Sequence, residues 1–149
     1  MSAFTSHMGP ALAEARAAAA LGEVPVGAVI VRDGRIIASA GNRTRILNDP
    51  TAHAEILAIR LAAAALGQER LTGADLYVTL EPCPMCAGAI AAARIARVYY
   101  GASDPKSGGV EAGPRVFSHP QCHHRPEVYP GIAEAESAEL LRDFFATRR

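Results

Sequence analysis

The sequence has 149 residues, half of them hydrophobic, and its fifteen basic residues balance fifteen acidic ones. With 20% charged residues the chain is too apolar for a disordered protein, and no apolar run reaches the roughly eighteen residues that a membrane span requires. Zero net charge argues against a generic nucleic-acid coating protein, which usually carries a large basic excess. These values predict a single globular domain over residues 1–149, and because residues 1–10 lack the features of an export signal, we expect it in the cytoplasm.

Glycines and turn residues divide the first half of the chain into helices and strands. Gly22 and Gly67 each follow an alanine-rich segment of helical composition, and Asp33-Gly34 is a hairpin turn between two apolar runs. The predicted elements are a helix over 8–21, strands over 24–31 and 35–40, and a helix over 52–66.

The second half predicts a βαβ unit, a long irregular stretch and a closing amphipathic helix. Gly, Pro, Ser and His dominate residues 102–125, which is typical of a functional loop. The predicted elements are strands over 75–80, 97–101 and 127–129 and helices over 84–93 and 134–149, the last with Leu140, Leu141, Phe144 and Phe145 on one side. This order predicts an α/β fold, a mixed sheet with helices on both faces.

Two short motifs carry the chemistry, and each lies at the start of a predicted helix. Residues 53–55 read His-Ala-Glu, and residues 82–86 read Pro-Cys-Pro-Met-Cys. Cys83 and Cys86, three apart across a first helical turn, can both point at one metal, while the helix dipole and the exposed N–H groups favour their thiolates. His53 supplies a third ligand, and three nitrogen and sulfur donors suit zinc.

Glu55 is the candidate base. Two thiolates cancel the charge of the dication and leave it less able to acidify water than an all-imidazole site would, so a nearby base becomes necessary. A metal beyond the first turn can be approached by both His53 and Glu55, and Glu55 therefore need not ligate it. The carboxylate can take a proton from water, deliver it to a substrate ring nitrogen, and later deliver one to the departing amine.

These motifs resemble the H-x-E and P-C-x-x-C signature of the zinc-dependent nucleobase deaminases, and further segments resemble the bacterial tRNA adenosine deaminases within that superfamily. The similarity covers nearly the whole chain, with a departure at Gly41, where a tryptophan is often found, and a loosely similar stretch over 107–118. The similar segments are residues 23–29, 42–43, 49–56, 76–83 and 85–89 and the closing Phe144, Phe145, Arg148 and Arg149.

The resemblance implies a three-layer α/β/α fold with a five-stranded mixed sheet, a homodimer and one zinc ion per subunit. It also implies a reaction, the hydrolytic conversion of adenosine to inosine with release of ammonia, at the wobble position of a tRNA anticodon, with arginine tRNA as the expected substrate. In that reaction His53, Cys83 and Cys86 hold the zinc and Glu55 moves protons. The residues expected to contact the base or the RNA are Val26, Asn42, Ala54, Asp104, Phe144, Phe145, Arg148 and Arg149.

Simpler interpretations stay open at this point. The zinc site could be closed and structural, with a fourth ligand from the loop residues His119, Cys122, His123 or His124; otherwise these histidines are solvated. Asn42 and Asp104 also suit turns, and the two phenylalanines also suit a helix core. Two alternative functions follow: a deaminase of a free base or nucleoside such as guanine or cytosine, and a noncatalytic RNA-binding subunit with structural zinc.

Overall fold

A five-stranded mixed sheet carries helices on both faces. The computed structural model describes residues 4–148. In chain order these residues form α1 (Met8–Ala20), β1 (Gly27–Arg32), β2 (Arg35–Gly41), α2 (Ala54–Leu66), β3 (Asp75–Leu80), α3 (Pro84–Ala92), β4 (Arg97–Ala102), a 3₁₀ turn (Val116–Ser118), β5 (Glu127–Tyr129) and α4 (Glu134–Ala146). The strand order is β2-β1-β3-β4-β5; β1 runs antiparallel to β2 and β3, whereas β3, β4 and β5 are parallel.

Alternating side chains on the strands divide the core into two layers. Ala28 and Ile30 of β1 face a cluster that includes α2 and α3, whereas Val29 and Val31 face a second cluster that includes α1 and Leu140 of α4. This alternation follows from the two-residue repeat of a strand, and a central strand that is apolar on both faces needs cover on both sides. The predicted three-layer α/β/α architecture is confirmed.

Close packing of α1 on the sheet depends on two glycines. A Cβ at Gly27 would lie 2.0 Å from Ala11 O, and a Cβ at Gly41 would lie 2.8 Å from Glu14 O. The backbone of α1 therefore rests almost directly on β1 and β2. With α1 in this position, a side chain at position 41 would collide with the backbone of the helix.

Three tyrosines form a stack on the α1 and α4 side of the sheet. Tyr77, Tyr99 and Tyr129 occupy paired positions on β3, β4 and β5. Their ring centroids are 4.4 Å apart for the first pair and 4.9 Å for the second, and Phe4 stacks on Tyr99 at 5.4 Å. The stack runs across three neighbouring strands, and Tyr77 and Tyr99 are buried against α1 and Leu140 of α4.

The predicted element boundaries differ from the structure by at most three residues. The first strand begins at Gly27 and not at residue 24, because Pro25 has no N–H to donate and Val26 N turns back to Val24 O at 2.8 Å. The second helix begins at Ala54, since His53 has extended backbone angles and is its N-cap. α4 ends at Ala146. Among residues 4–148, no helix has the length and apolar character to cross a membrane.

Candidate active site

The site forms where the N-termini of α2 and α3 meet. His53 is the N-cap of α2 and Cys83 is the N-cap of α3, both with extended backbone angles, and neither side chain caps its own helix. Pro84 follows as the first residue of α3, where its missing N–H has no consequence. Both side chains are therefore free to turn toward the space between the two helix ends.

Three donor atoms converge in that space. His53 Nδ1 lies 3.6 Å from Cys83 Sγ and 3.5 Å from Cys86 Sγ, and all three donor atoms lie within 4.8 Å of one another. Tetrahedral zinc, with Zn–N near 2.0 Å and Zn–S near 2.3 Å, places nitrogen and sulfur ligands about 3.5 Å apart. The donor set and its spacing thus fit a zinc ion.

The electrostatics of the group favour a thiolate. The Cys86 thiol, together with His53, lowers the pKa of Cys83 to about 4, and the hydrogen bond with Cys83 raises the pKa of Cys86. The hydrogen bond between His53 and Cys83 raises the pKa of His53. The positive ends of two helix dipoles point at the group, so that negative charge on sulfur is stabilised there.

Glu55 lies beside this group without belonging to it. It is the second residue of α2, is only 4% exposed, and its carboxylate is not one of the converging donors. Burial raises the pKa of Glu55 to about 7. A carboxyl group in such surroundings can exchange a proton near neutral pH, as general acid–base catalysis requires.

Within residues 4–148, the loop histidines and Cys122 do not complete the donor group. Cys122 Sγ donates to His124 O at 3.1 Å, and His124 Nε2 lies 2.7 Å from Ile95 O. His124 is therefore bound to the domain and not a solvated loop residue, whereas His119 and His123 are exposed. The loop therefore does not supply a fourth ligand, and the donor group of the described residues is not a closed structural site.

A cavity of about 230 Å³ opens onto His53, Cys83 and Glu55. Three predicted contact residues border it: Val26, Asn42 and Asp104. Asn42 N donates to Val26 O at 3.0 Å, so these two walls are joined. Ala54 does not border the cavity, because its side chain is fully buried in the core against α3 and the sheet. The remaining residues of the lining are Val24, Thr44, Leu80, Glu81 and Ser107.

Asp104 forms a turn and also borders the cavity. Its Oδ1 accepts from Lys106 N at 3.2 Å and from Ser107 N at 3.1 Å, as in an Asx turn. The residue also borders the cavity. The turn therefore holds the side chain at the cavity wall.

The structure separates the two phenylalanines at the end of α4. Phe144 is 6% exposed and Arg148 Cζ lies 3.7 Å above the centre of its ring, whereas Phe145 is 52% exposed. The prediction that both share one apolar side is thus wrong, since adjacent helix residues are about 100° apart and only one can face the sheet.

The Arg148 side chain lies near the segment that reaches the cavity. Its Nη2 is 4.0 Å from the position that a Cβ at Gly22 would take, two residues before Val24 at the cavity. Arg149, also predicted to contact RNA, lies outside the described residues.

Two buried glutamates were missed by the sequence reasoning. Glu23 accepts from Arg45 N and Ile46 N, at 3.2 and 2.8 Å, and Glu81 accepts from four main-chain N–H groups between residues 104 and 112. Burial alone would raise the pKa of Glu81, but these four donors hold it below its usual value. The available signal was a lone charge at the edge of an apolar run, which does not reveal its distant partners.

The fold and the site have clear counterparts among known proteins. The cytidine and deoxycytidylate deaminase zinc-binding region matches residues 1–102. The tRNA-specific adenosine deaminase of Agrobacterium fabrum is 67% identical over 145 residues, which cover 97% of this chain and 95% of that protein. The structure of a tRNA:A34 deaminase, from work on A-to-I editing at the wobble position of transfer RNA, is 69% identical with a TM-score of 0.89 and covers 90% of this chain and 97% of that one.

A third relative differs in substrate. The structure of guanine deaminase from Bacillus subtilis is 37% identical with a TM-score of 0.66, and it covers 97% of this chain and 94% of that one. The same scaffold therefore occurs in proteins named for a free base and in proteins named for tRNA. Because the family model matches residues 1–102, the A. fabrum relative is 67% identical, and the donor group fits zinc, the chain belongs to the cytidine and deoxycytidylate deaminase family.

Proposed function

We propose that this chain deaminates adenosine to inosine at the wobble position of a tRNA, A34, with arginine tRNA as the expected substrate. One observation carries the proposal: a donor group that fits zinc and a buried carboxylate outside that group open onto the same cavity. A noncatalytic protein with structural zinc has no use for a proton-accepting group at that position. The tRNA-specific adenosine deaminase of A. fabrum and the tRNA:A34 deaminase structure support the choice of substrate.

His53, Cys83 and Cys86 would hold one zinc ion per subunit. Zinc in such a set supplies a Lewis acid that makes water nucleophilic near neutral pH. Glu55 accepts the proton that water gives up as its oxygen bonds to C6 of adenine, and it delivers this proton to the neighbouring ring nitrogen. Glu55 then takes the remaining proton from the hydroxyl on C6 and delivers it to the amine as the C6–N bond breaks, so that ammonia leaves and the carbonyl of inosine forms.

The cavity walls would hold the adenine, flipped out of the RNA stack, in the orientation that this reaction requires. Val26 offers an apolar surface to the ring, Asn42 offers a carboxamide that both donates and accepts, and Asp104 faces the neighbouring nucleotide. At the end of α4, the exposed Phe145 can stack on a base and Arg148 can contact phosphate. We place Arg149 in the same role.

We propose a homodimer as the active form, with the α3 layer as its interface. Gly88 and Ala92 of α3 are exposed, and with Pro114 and Val116 they border an apolar cavity of about 470 Å³. Small residues let helices approach closely, and the partner that suits this face is a second copy of the chain. Because the proposed substrate is tRNA, we place the dimer in the cytoplasm.

A direct test compares substrates with the zinc-loaded protein. An anticodon stem-loop of arginine tRNA, free adenosine, guanine and cytosine are incubated separately, and products are identified by nucleoside chromatography and by sequencing, in which inosine is read as guanosine. We expect inosine at position 34 of the stem-loop and no comparable turnover of the free compounds. Turnover of guanine alone would assign the function of the B. subtilis relative, and no product from any substrate would favour the noncatalytic alternative.

A further inference from the structure

One side chain ties the segment from Asp104 to Ala112 to the end of β3. Glu81 is 2% exposed, and its Oε1 accepts from Asp104 N at 3.0 Å. Its Oε2 accepts three more hydrogen bonds, from Val110 N at 3.2 Å, Glu111 N at 2.9 Å and Ala112 N at 3.0 Å. Hydrogen bonds to an ionised acceptor are the stronger class. Glu81 therefore holds both ends of the segment at once.

The same segment rests directly on the turn that carries Cys83. Gly109 N donates to Pro82 O at 2.8 Å, and a Cβ at Gly109 would lie 2.6 Å from Pro84 N. A Cβ at Gly108 would lie 2.6 Å from Glu81 Oε2. The segment thus packs against the turn through bare backbone, and the Glu81 carboxylate is enclosed between them.

The part of the segment that reaches the cavity is a small unit. Asp104 O accepts from Gly108 N at 2.9 Å, and Asp104 Oδ1 accepts from Ser107 N, so residues 104–108 hold one another in place. Both Asp104 and Ser107 border the cavity, and Asp104 N is the group that Glu81 Oε1 binds. Glu81 borders the cavity too, but both of its oxygens are already engaged by main-chain N–H groups.

We propose that Glu81 is a positioning residue of the base pocket, which acts on the substrate through Asp104 by holding the main chain of that residue. The inference rests on the proposed function, in which Asp104 forms a wall beside the bound nucleotide. It assigns a role to a glutamate that neither ligates metal nor transfers a proton.

The variant Glu81→Gln separates the two halves of the carboxylate. The single amide oxygen is best placed at the Oε2 position, where three N–H groups converge. The amide nitrogen then faces Asp104 N, donor against donor, and that hydrogen bond is lost. The substitution keeps size and shape, so it releases Asp104 while residues 110–112 stay bound.

A first measurement needs no substrate. Amide hydrogen exchange of the zinc-loaded protein is compared between wild type and Glu81→Gln, with zinc content measured in parallel. We expect at least about tenfold faster exchange at Asp104, little change at Val110 to Ala112, and equal zinc. Unchanged exchange at Asp104 would overturn the inference whatever the substrate proves to be.

The second measurement is a double-mutant cycle on the anticodon stem-loop. Glu81→Gln is expected to raise KM about tenfold and to change kcat less than about threefold, and to have no further effect on KM in an Asp104→Ala background. A purely structural role would lower the active fraction, and hence kcat, at constant KM. The matched control is Glu23→Gln, which removes a buried carboxylate from the loop on the other wall, so its effect should multiply with that of Asp104→Ala.

The outcomes distinguish this inference from the proposed function. If the wild type does not deaminate the stem-loop, the function fails and the exchange measurement still judges Glu81. If the wild type is active and the effects of Glu81→Gln and Asp104→Ala simply multiply, or Asp104→Ala leaves KM unchanged, the function stands and the positioning role is wrong.

Discussion

Two residues at helix N-caps have side chains that do not cap. Ser, Thr, Asp and Asn dominate this position because their side chains bind the free N–H groups of the first turn, whereas here His53 and Cys83 occupy it. A capping side chain is worth about 1 kcal/mol, so both helices begin without this stabilisation. The unbound N–H groups and the dipole then act on the thiolates, which makes the pair of helix ends a suitable place for a cation with soft ligands.

A substitution of Glu55 tests the proposed proton transfer at the scale of one residue. We expect Glu55→Ala to keep its full zinc content, because the carboxylate is outside the donor group, and to lose at least about 10³-fold in kcat, the range of a lost proton transfer. The measurements are elemental analysis for zinc and inosine formation on the anticodon stem-loop. Retained turnover in a zinc-loaded Glu55→Ala protein would contradict the proposed role.

The cysteines offer a matched pair for the metal. Cys86→Ala removes one of three converging donors and should abolish tight zinc binding together with activity. Cys122→Ala removes a thiol whose hydrogen bond goes to His124 O, and should leave the zinc content unchanged. Zinc titration of the two purified variants decides the matter, and equal zinc in both would remove Cys86 from the ligand set.

At the scale of elements, the residues that begin and end helices and strands made most of the fold predictable. Gly22 and Gly67 follow the ends of α1 and α2, and Pro84 begins α3, as predicted, since the backbone limits of glycine and proline act locally. The positions of the His-Ala-Glu and Pro-Cys-Pro-Met-Cys motifs at helix starts were predictable because they also depend on neighbouring residues in the sequence. What could not be predicted depends on distant partners: Glu81 binds N–H groups up to 31 positions away, and the loop over 102–125 has no periodicity to indicate how it folds back.

The end of α4 provides a prediction about two adjacent residues with different roles. Phe144→Ala should lower the free energy of unfolding by about 3 kcal/mol, because it empties a buried site. Phe145→Ala should change stability by less than about 0.5 kcal/mol but raise KM for the stem-loop about tenfold, the value of one base–aromatic stack. Urea denaturation and steady-state kinetics measure the two effects, and a stable Phe144→Ala or an unaltered KM in Phe145→Ala would contradict them.

At the scale of the whole molecule, α3 and α4 lie on opposite faces of the sheet and differ in composition. Small residues make up most of α3 and leave apolar surface beside Ala92, whereas α4 carries Glu134, Glu136 and other charged residues. The charges of α4 are mostly acidic, which suits solvent and not the phosphates of RNA, whereas a small apolar surface suits a second copy of the chain. The proposed homodimer follows from this asymmetry.

The dimer is tested with one substitution at the end of α3. Ala92→Glu places a charge on an exposed position of the proposed interface, and we expect sedimentation equilibrium to show a monomer where the wild type is a dimer. The control, Ala17→Glu, makes the same change at an exposed position of α1 and should leave the dimer intact. Dimers in both variants would place the interface elsewhere.

The tyrosine stack gives the protein an optical signature. The sequence contains no tryptophan, so four tyrosines dominate its near-ultraviolet absorption. Tyr77 and Tyr99 lie 4.4 Å apart at an angle of 7°, close enough for their transitions to couple, and Tyr129 extends the array. The fourth tyrosine, Tyr100, is buried in the core on the opposite face, so circular dichroism near 280 nm monitors rigid packing on both faces of the sheet, and loss of that packing can be followed without any added dye or label.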